Sequence, residues 1–435
     1  MFYNPLLRLN PFPRRDNDDL ISSESHMFPS SSLNEHFFRG SQTPCRTVTG
    51  RASCSDKKTT NCIRITVIGL CGGWSTALRA LPVTVSCPKL KDTAVVLEHV
   101  GTPSSITESN IVLFSFVADY MNMDVWRRLR KYRPSDQMWV FQTEESPYYA
   151  IGLLPPWIFR NDSYDISNTY RTNADIYSPY GNYEPFRNEE ANQVNLPLVN
   201  LANKTRFMIW ISSHCETLQW DRTAFVKDLQ KVMKVDIFGK CGNNSLCKNK
   251  WEQSCAQKVD DFVQTYKFSL ALENCCCEDY ITEKLWHTLT IGVVPVVIGP
   301  HLNNYKKLVP PGSFIHIDQF ESVENLKIYL EYLDQNDTAY LEYFQWKTKG
   351  TVHEHTIKEH YQNHLSDNIM CAIVDQYTER RLKKNTTGTA STHFEMFDPY
   401  GPEWKGTCYS CGENQWIKNY EYPPNHKRKS KRIWN

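Results

Sequence analysis

The stretch from Lys267 to Ile298 constrains the fold most. Lys267–Leu272 is an apolar run suited to a buried strand, Asp279–Thr290 has helical spacing, and Val293–Ile298 is a second apolar run. Two buried strands separated by one helix run parallel, because the helix returns the chain to the edge where the first strand began. The same alternation flanks this unit. Phe207–Ile211 reads as a strand, and Arg222–Met233 as a helix with Phe225, Leu229, Val232 and Met233 on one face. Val235–Phe238 is a strand closed by Gly239, and Phe314–Ile317 another, followed by a helix through Val323, Leu326, Leu330 and Leu333. The expected class is α/β, a parallel doubly wound sheet with its ligand at the carboxyl ends of the strands.

The first half has the same character. Ile63–Leu70 reads as a buried first strand: as the start of a membrane span it would be followed by Gly72, Gly73, Arg79 and Pro82. Ala94–Leu97 and Ile111–Phe114 are further apolar runs, Trp157–Pro185 is aromatic and rich in turns, and Asn188–Leu201 has linker composition. The expected layout is a polar extension over 1–60, one α/β domain over 61–200, a second over 201–347, and a C-terminal extension over 348–435.

Composition narrows the setting. Lys plus Arg number 49 against 48 Asp plus Glu, which leaves no global field for nucleic acid or an anionic membrane. A mean hydropathy of −0.53 excludes a polytopic membrane protein. Fifteen cysteines and five Asn-x-Ser/Thr triplets, at Asn161, Asn203, Asn243, Asn336 and Asn385, together favour a secretory-pathway lumen. Residues 1–60 contain no apolar signal-peptide core, and no membrane anchor is visible, so the expectation is either a soluble chain or a missing N-terminal segment.

The chemistry concentrates in Glu273-Asn-Cys-Cys-Cys-Glu-Asp-Tyr-Ile-Thr-Glu-Lys284. On a helix starting near Asp279, residues Tyr280, Glu283, Lys284 and His287 share one face, while Ile281, Leu285 and Leu289 turn to the sheet. A Lys and a Glu in the first turn, beside free backbone N–H groups, suit a diphosphate. The same pair also decorates ordinary solvated helices, and spacing alone favours that plainer reading.

With Val293-Val-Pro-Val-Val-Ile-Gly-Pro300, this segment resembles the signature of the α-1,3-fucosyltransferases. The resemblance continues through Ser313–Phe320 and Tyr343–Lys347, and upstream through Glu145-Ser-Pro147, Tyr170–Gly181, Trp210–Ser213, Arg222 and Val235–Gly242, covering about 90 to 347. It implies a GT-B architecture, two Rossmann-like doubly wound domains facing a central cleft. It also implies an inverting enzyme that moves fucose from GDP-fucose to the 3-hydroxyl of N-acetylglucosamine in a glycoprotein glycan. By that resemblance Arg222 and Lys284 contact the diphosphate, Asn274, Tyr280 and Glu283 line the donor pocket, and Glu145 is the general base. No metal is required, with Mn²⁺ at most stimulatory, and the setting is the Golgi lumen, with a single-pass type II membrane anchor. Two alternatives stay open: a protein O-fucosyltransferase acting on Ser or Thr, and a non-catalytic glycan-binding protein of the same fold.

Several positions depart from the family pattern: Thr172 and Asn173 stand where it has Arg and Asp, His214 where it has Asn, and residues 275–277 are all Cys. Beyond Thr348 the resemblance is poor apart from Cys408-Tyr-Ser-Cys411. That pair reads as disulfide-forming rather than zinc-binding, since no second such pair accompanies it. The family ties such a pair to the start of the catalytic domain, so Cys71 and Cys87 are the expected partners. Asp16-Asn-Asp18 reads as solvated charge, His353, His355, His360 and His364 as a polar surface helix, and His426–Arg432 as an exposed basic end. Glu144 is the rival base, because adjacent residues on an extended chain point oppositely.

Overall fold

The computed structural model describes residues 61–68, 82–90, 92–99, 103–115, 121–187, 199–217, 219–242, 246, 253–355, 367–387 and 396–422. Cys71, Asp16, Asp18, His360, His364, the basic tail and most of the linker lie outside them.

The first half is a seven-stranded sheet ordered β2-β3-β1-β4-β5-β6-β7. Its strands are β1 (Asn61–Ile68), β2 (Val83–Val85), β3 (Thr93–His99), β4 (Ile111–Ser115), β5 (Met138–Thr143), β6 (Ile166–Thr169) and β7 (Ile176–Tyr177). All neighbours pair in parallel except β2, which runs antiparallel to β3. The expected first strand is thus a strand inside this sheet. Alternation along β4 divides two cores. Ile111 and Leu113 face one layer with Val67 and Leu97, whereas Val112 and Phe114 face Trp126 of α1 (Met123–Tyr132) and Trp139.

The second half is a fully parallel five-stranded sheet ordered β10-β9-β11-β12-β13. It comprises β9 (Arg206–Ile211), β10 (Asp236–Phe238), β11 (Tyr266–Leu272), β12 (Val294–Ile298) and β13 (Ile315–His316). Helices α2 (Arg222–Val232), α3 (Gln253–Val263), α4 (Glu283–Thr290), α5 (Leu302–Leu308), α6 (Val323–Gln335) and α7 (Asp337–Glu342) complete it. The expected pattern is present, with Phe225 and Leu229 of α2 and Leu326, Leu330 and Leu333 of α6 all buried in one core.

The chain then returns to the first half. Strand β14 (Gly350–Glu354) pairs antiparallel with β8 (Gly181–Pro185). Helix α8 (Asp367–Thr387) buries Met370, Ile373, Val374 and Tyr377 against the first sheet, where a disulfide joins Cys87 to Cys371. His353 therefore lies in a strand rather than on the expected surface helix, because the segment completes a ladder with β8.

One apolar cluster spans both halves: Phe114, Trp126, Trp139, Phe141, Tyr164 and Tyr170 with Tyr280, Ile281, Leu285, Trp286 and Leu289. Gly181 makes part of this closeness possible, since a Cβ there would lie 2.5 Å from the Trp286 ring. The carboxyl-end loops of the two sheets meet over this cluster. Among the described residues no helix is long and apolar enough to cross a membrane.

Candidate active site

Helix α4 begins at Glu283, four residues later than its spacing suggests. Asp279 holds φ +62°, a left-handed conformation that ends any helix passing through it. Thr282 is the N-cap, its side chain accepting from the Lys284 backbone N–H. Tyr280 therefore sits on the loop before α4 and does not share a helix face with Glu283, Lys284 and His287. Ile281, Leu285 and Leu289 are buried as expected.

That loop is fastened at its other end. Cys276 bonds Cys411 and Cys277 bonds Cys408, so Cys408-x-x-Cys411 closes on the thiol-rich loop. The expected partners are thus corrected: Cys87 is taken by Cys371, and pairing depends on which backbones meet in space, which spacing does not reveal.

At the carboxyl end of β11, Glu273 is 1% exposed and accepts from Thr282 N at 2.8 Å, Thr282 Oγ1 at 2.9 Å and Lys284 Nζ at 2.9 Å. Gly299 lets this carboxylate pass, since a Cβ there would meet the Glu273 side chain at 2.8 Å. Lys284 also donates to Thr282 Oγ1 at 2.7 Å and lies 3.5 Å from Glu283. Burial opposes the Lys284 charge, but Glu273 and Glu283 outweigh it and raise its pKa. For Glu283 burial is likewise overcome, by Lys284 and Thr282, and the carboxyl is held below its usual range. Burial wins at Glu273, whose pKa is raised. Lys284 remains 27% exposed, so its ammonium is fixed yet reachable.

Arg222 opens α2 and is 3% exposed. Its guanidinium donates to Leu272 O at 2.9 Å, His214 O at 2.8 Å and Ser212 Oγ at 3.2 Å, bracing the carboxyl ends of β9 and β11. Burial lowers its pKa. Asn274, one residue past Glu273, keeps a buried Oδ1 with no hydrogen-bond partner among the described residues.

Glu145 faces this set from the other half, two residues beyond β5. Its backbone N–H donates to Thr143 Oγ1 at 3.1 Å, and its Oε2 accepts from the Tyr280 hydroxyl at 3.0 Å. Burial raises its pKa to about 7 against the lowering effects of Lys284 and Tyr280. Glu144 is buried beside it, with its backbone carbonyl accepting from the Tyr180 hydroxyl at 2.9 Å.

The structure thus gathers Glu145, Tyr280, Glu283 and Lys284 and sets Asn274 and Arg222 at the strand ends behind them. Sequence reasoning missed Glu273, Thr282, Asp279 and Arg171. A carboxylate directly ending an apolar strand was the available signal for Glu273. Arg171 Nη1 lies 3.1 Å from Asp279, a contact between distant loops that no local pattern encodes.

Comparison with known proteins identifies the family. A family model described as "Fucosyltransferase, N-terminal" matches residues 82–181, and one described as "Glycosyltransferase family 10 (fucosyltransferase) C-term" matches residues 201–392, extending the likeness well past Thr348. The chain is 36% identical to "Alpha-(1,3)-fucosyltransferase 4" of Bos taurus over 222 residues, 51% of this chain and 53% of that protein. It is 35% identical to "4-galactosyl-N-acetylglucosaminide 3-alpha-L-fucosyltransferase FUT5" of Homo sapiens over 216 residues, 49% of this chain and 53% of that protein. A solved α1,3-fucosyltransferase with GDP-fucose is similar at 17% identity and a TM-score of 0.43, over 75% of this chain and 93% of that one, too distant for residue-by-residue comparison. The chain spans about half the length of the curated relatives it matches. With both family models matched in order, the chain belongs to glycosyltransferase family 10, the fucosyltransferases.

Proposed function

We propose that this protein transfers L-fucose from GDP-β-L-fucose in α-1,3 linkage to N-acetylglucosamine of a glycoprotein glycan, with inversion. The observation that carries the reading is Glu145, raised to about 7 and facing Lys284 across the junction of the halves. Its carboxylate takes the proton of the acceptor 3-hydroxyl as that oxygen bonds to C1 of fucose. The C1–O bond to the β-phosphate breaks on the opposite face, and GDP leaves with the bonding pair. Lys284 meets the charge growing on the phosphate, a phosphate oxygen replacing its long contact to Glu283. Arg222 adds positive charge from the strand ends, while Asn274 and Tyr280 line the pocket. The Glu273–Lys284 pair keeps the ammonium in place before the donor arrives.

With these cations in place, the reaction needs no metal, and Mn²⁺ stimulates only by binding released GDP. Four disulfides between described residues, together with the glycosylation triplets, support a lumenal setting, and the Golgi with a membrane anchor is our assignment by family resemblance. No role with nucleic acid is proposed.

The test incubates the protein with GDP-fucose and, separately, an N-acetylglucosamine-containing glycan and a folded Ser/Thr acceptor domain, with and without EDTA. Transfer to the glycan in EDTA is expected. Transfer only to the protein domain would assign the protein O-fucosyl activity instead. Donor binding without transfer to either would leave a glycan-binding protein, and complete, manganese-reversible loss in EDTA would overturn the metal-free donor site.

A further inference from the structure

The two halves grip each other through three consecutive residues on one side, Tyr170 to Thr172, and two on the other, Asp279 and Tyr280. Tyr170 packs on Tyr280 with ring centroids 4.9 Å apart. The next residues, Arg171 and Thr172, bond Asp279: to its Oδ2 run Arg171 Nη1 at 3.1 Å, Thr172 N at 3.0 Å and Thr172 Oγ1 at 2.8 Å. Asn304, in the first turn of α5, donates to the remaining Oδ1 at 2.9 Å. The Asp279 side chain is 1% exposed. Its backbone stands at φ +62°, a left-handed conformation that Asp adopts more readily than most residues with a Cβ. One residue on, the Tyr280 hydroxyl meets Glu145.

We propose that Asp279 is a positioning residue, which locks the loop before α4 to the loop after β6 in the one register that brings the Tyr280 hydroxyl to Glu145. This rests on the assignment of Glu145 as the base. The groups facing Glu145 are Tyr280 from the Asp279 loop, Lys284 and Glu283 from α4, and Glu144 and Tyr170 from its own half. Of these, Tyr280 is the one whose place Asp279 sets directly. Its hydrogen bond favours the carboxylate, so loosening it moves the Glu145 pKa upward.

Asp279→Asn separates the lock from the backbone, because Asn tolerates the left-handed region. Its amide must turn an NH₂ toward donors on one side, which the carboxylate does not. Thr172→Val is the milder variant, removing one donor at nearly constant shape. Two readouts are taken on the full chain. The first is transfer kinetics, where kcat falls roughly ten- to a hundredfold in Asp279→Asn. In that variant the acid limb of the pH–rate profile moves to higher pH, GDP affinity stays within about twofold, and Thr172→Val shows a smaller change of the same sign. The second needs no substrate: the Glu145 resonance in protein carrying ¹³C-carboxyl glutamate, assigned by its loss in Glu145→Gln, titrates at higher pH in both variants. If the resonance titrates as in wild type, Asp279 is merely structural and the proposal is overturned, even where kcat falls. If Asp279→Asn does not fold, Thr172→Val decides by the same criteria. If the wild type transfers no fucose, the functional reading fails, while the Glu145 titration still decides the role of Asp279.

Discussion

Burial raises the pKa of a carboxylate on each side of the junction, Glu273 on one and Glu145 on the other, but their close partners differ. On the proposed donor side Glu273 and Glu283 lie 2.9 and 3.5 Å from Lys284 and keep its ammonium charged. On the proposed acceptor side burial opposes the charge of Glu145, which accepts from the Tyr280 hydroxyl, and its pKa rises to about 7. A site that must bind a diphosphate gains from charge that does not change with pH. A site that must accept a proton gains from a pKa near the operating pH. One helix start serves both demands, because the Tyr280 loop bonds Glu145 while the first turn of α4 carries Lys284.

The comparison is broken most severely by removing the base. Glu145→Gln is nearly isosteric and keeps the Tyr280 contact, so GDP affinity by calorimetry stays unchanged while turnover falls roughly 10²–10⁴-fold. Glu144→Gln is the paired control, with turnover near wild type, and a reversed pattern would move the base to Glu144. Next in size is the donor side. Lys284→Ala removes a charge-assisted contact and should weaken GDP by about 1.5–3 kcal/mol, with secondary structure by circular dichroism intact. Unchanged GDP affinity would detach Lys284 from the diphosphate.

The smallest effect sharpens the comparison away from the cleft. His287 bridges Asp260 at 2.8 Å and Glu354 at 2.9 Å, joining α4 to α3 and to β14. Burial works against its charge, but the two carboxylates overcome it and raise the pKa from 6.5 to about 10. Because the folded pKa is the higher one, the stabilisation is fully present below 6.5 and is lost as pH rises through about 10. The ring is 39% exposed, so His287→Gln should cost only about 1 kcal/mol in urea unfolding at neutral pH. That difference should shrink once the pH passes 10, with turnover and GDP affinity retained. A loss of turnover equal to that of Glu145→Gln would place His287 in the chemistry instead.

Much of this architecture was legible in the residues. The run from Phe207 to Leu333 announces its strands and helices because each element buries a regular face, and β9 to β13 and α6 fall where that periodicity puts them. The start of α4 was not legible, because the left-handed backbone at Asp279 is imposed by partners in another loop rather than by its neighbours. The disulfides of Cys408 and Cys411 were hidden for the same reason, as both partners are set by tertiary approach. Glu145 could be singled out only through the Glu-Ser-Pro resemblance. Nothing local reports that burial lifts its pKa, or that Glu273 rather than Glu283 is the close partner of Lys284.

In the proposed reaction Glu145 takes the acceptor proton with a pKa set by burial, while Lys284 stays charged. That proton transfer is tested most directly by the pH dependence of kcat/KM for fucose transfer, in wild type and in Glu145→Gln. The expected rate climbs about tenfold per pH step on the acid side and levels off above about 7, with that limb absent from the residual activity of Glu145→Gln. A wild-type profile already flat from about pH 5.5 upward, the behaviour of an ordinary solvated carboxylate, would contradict it.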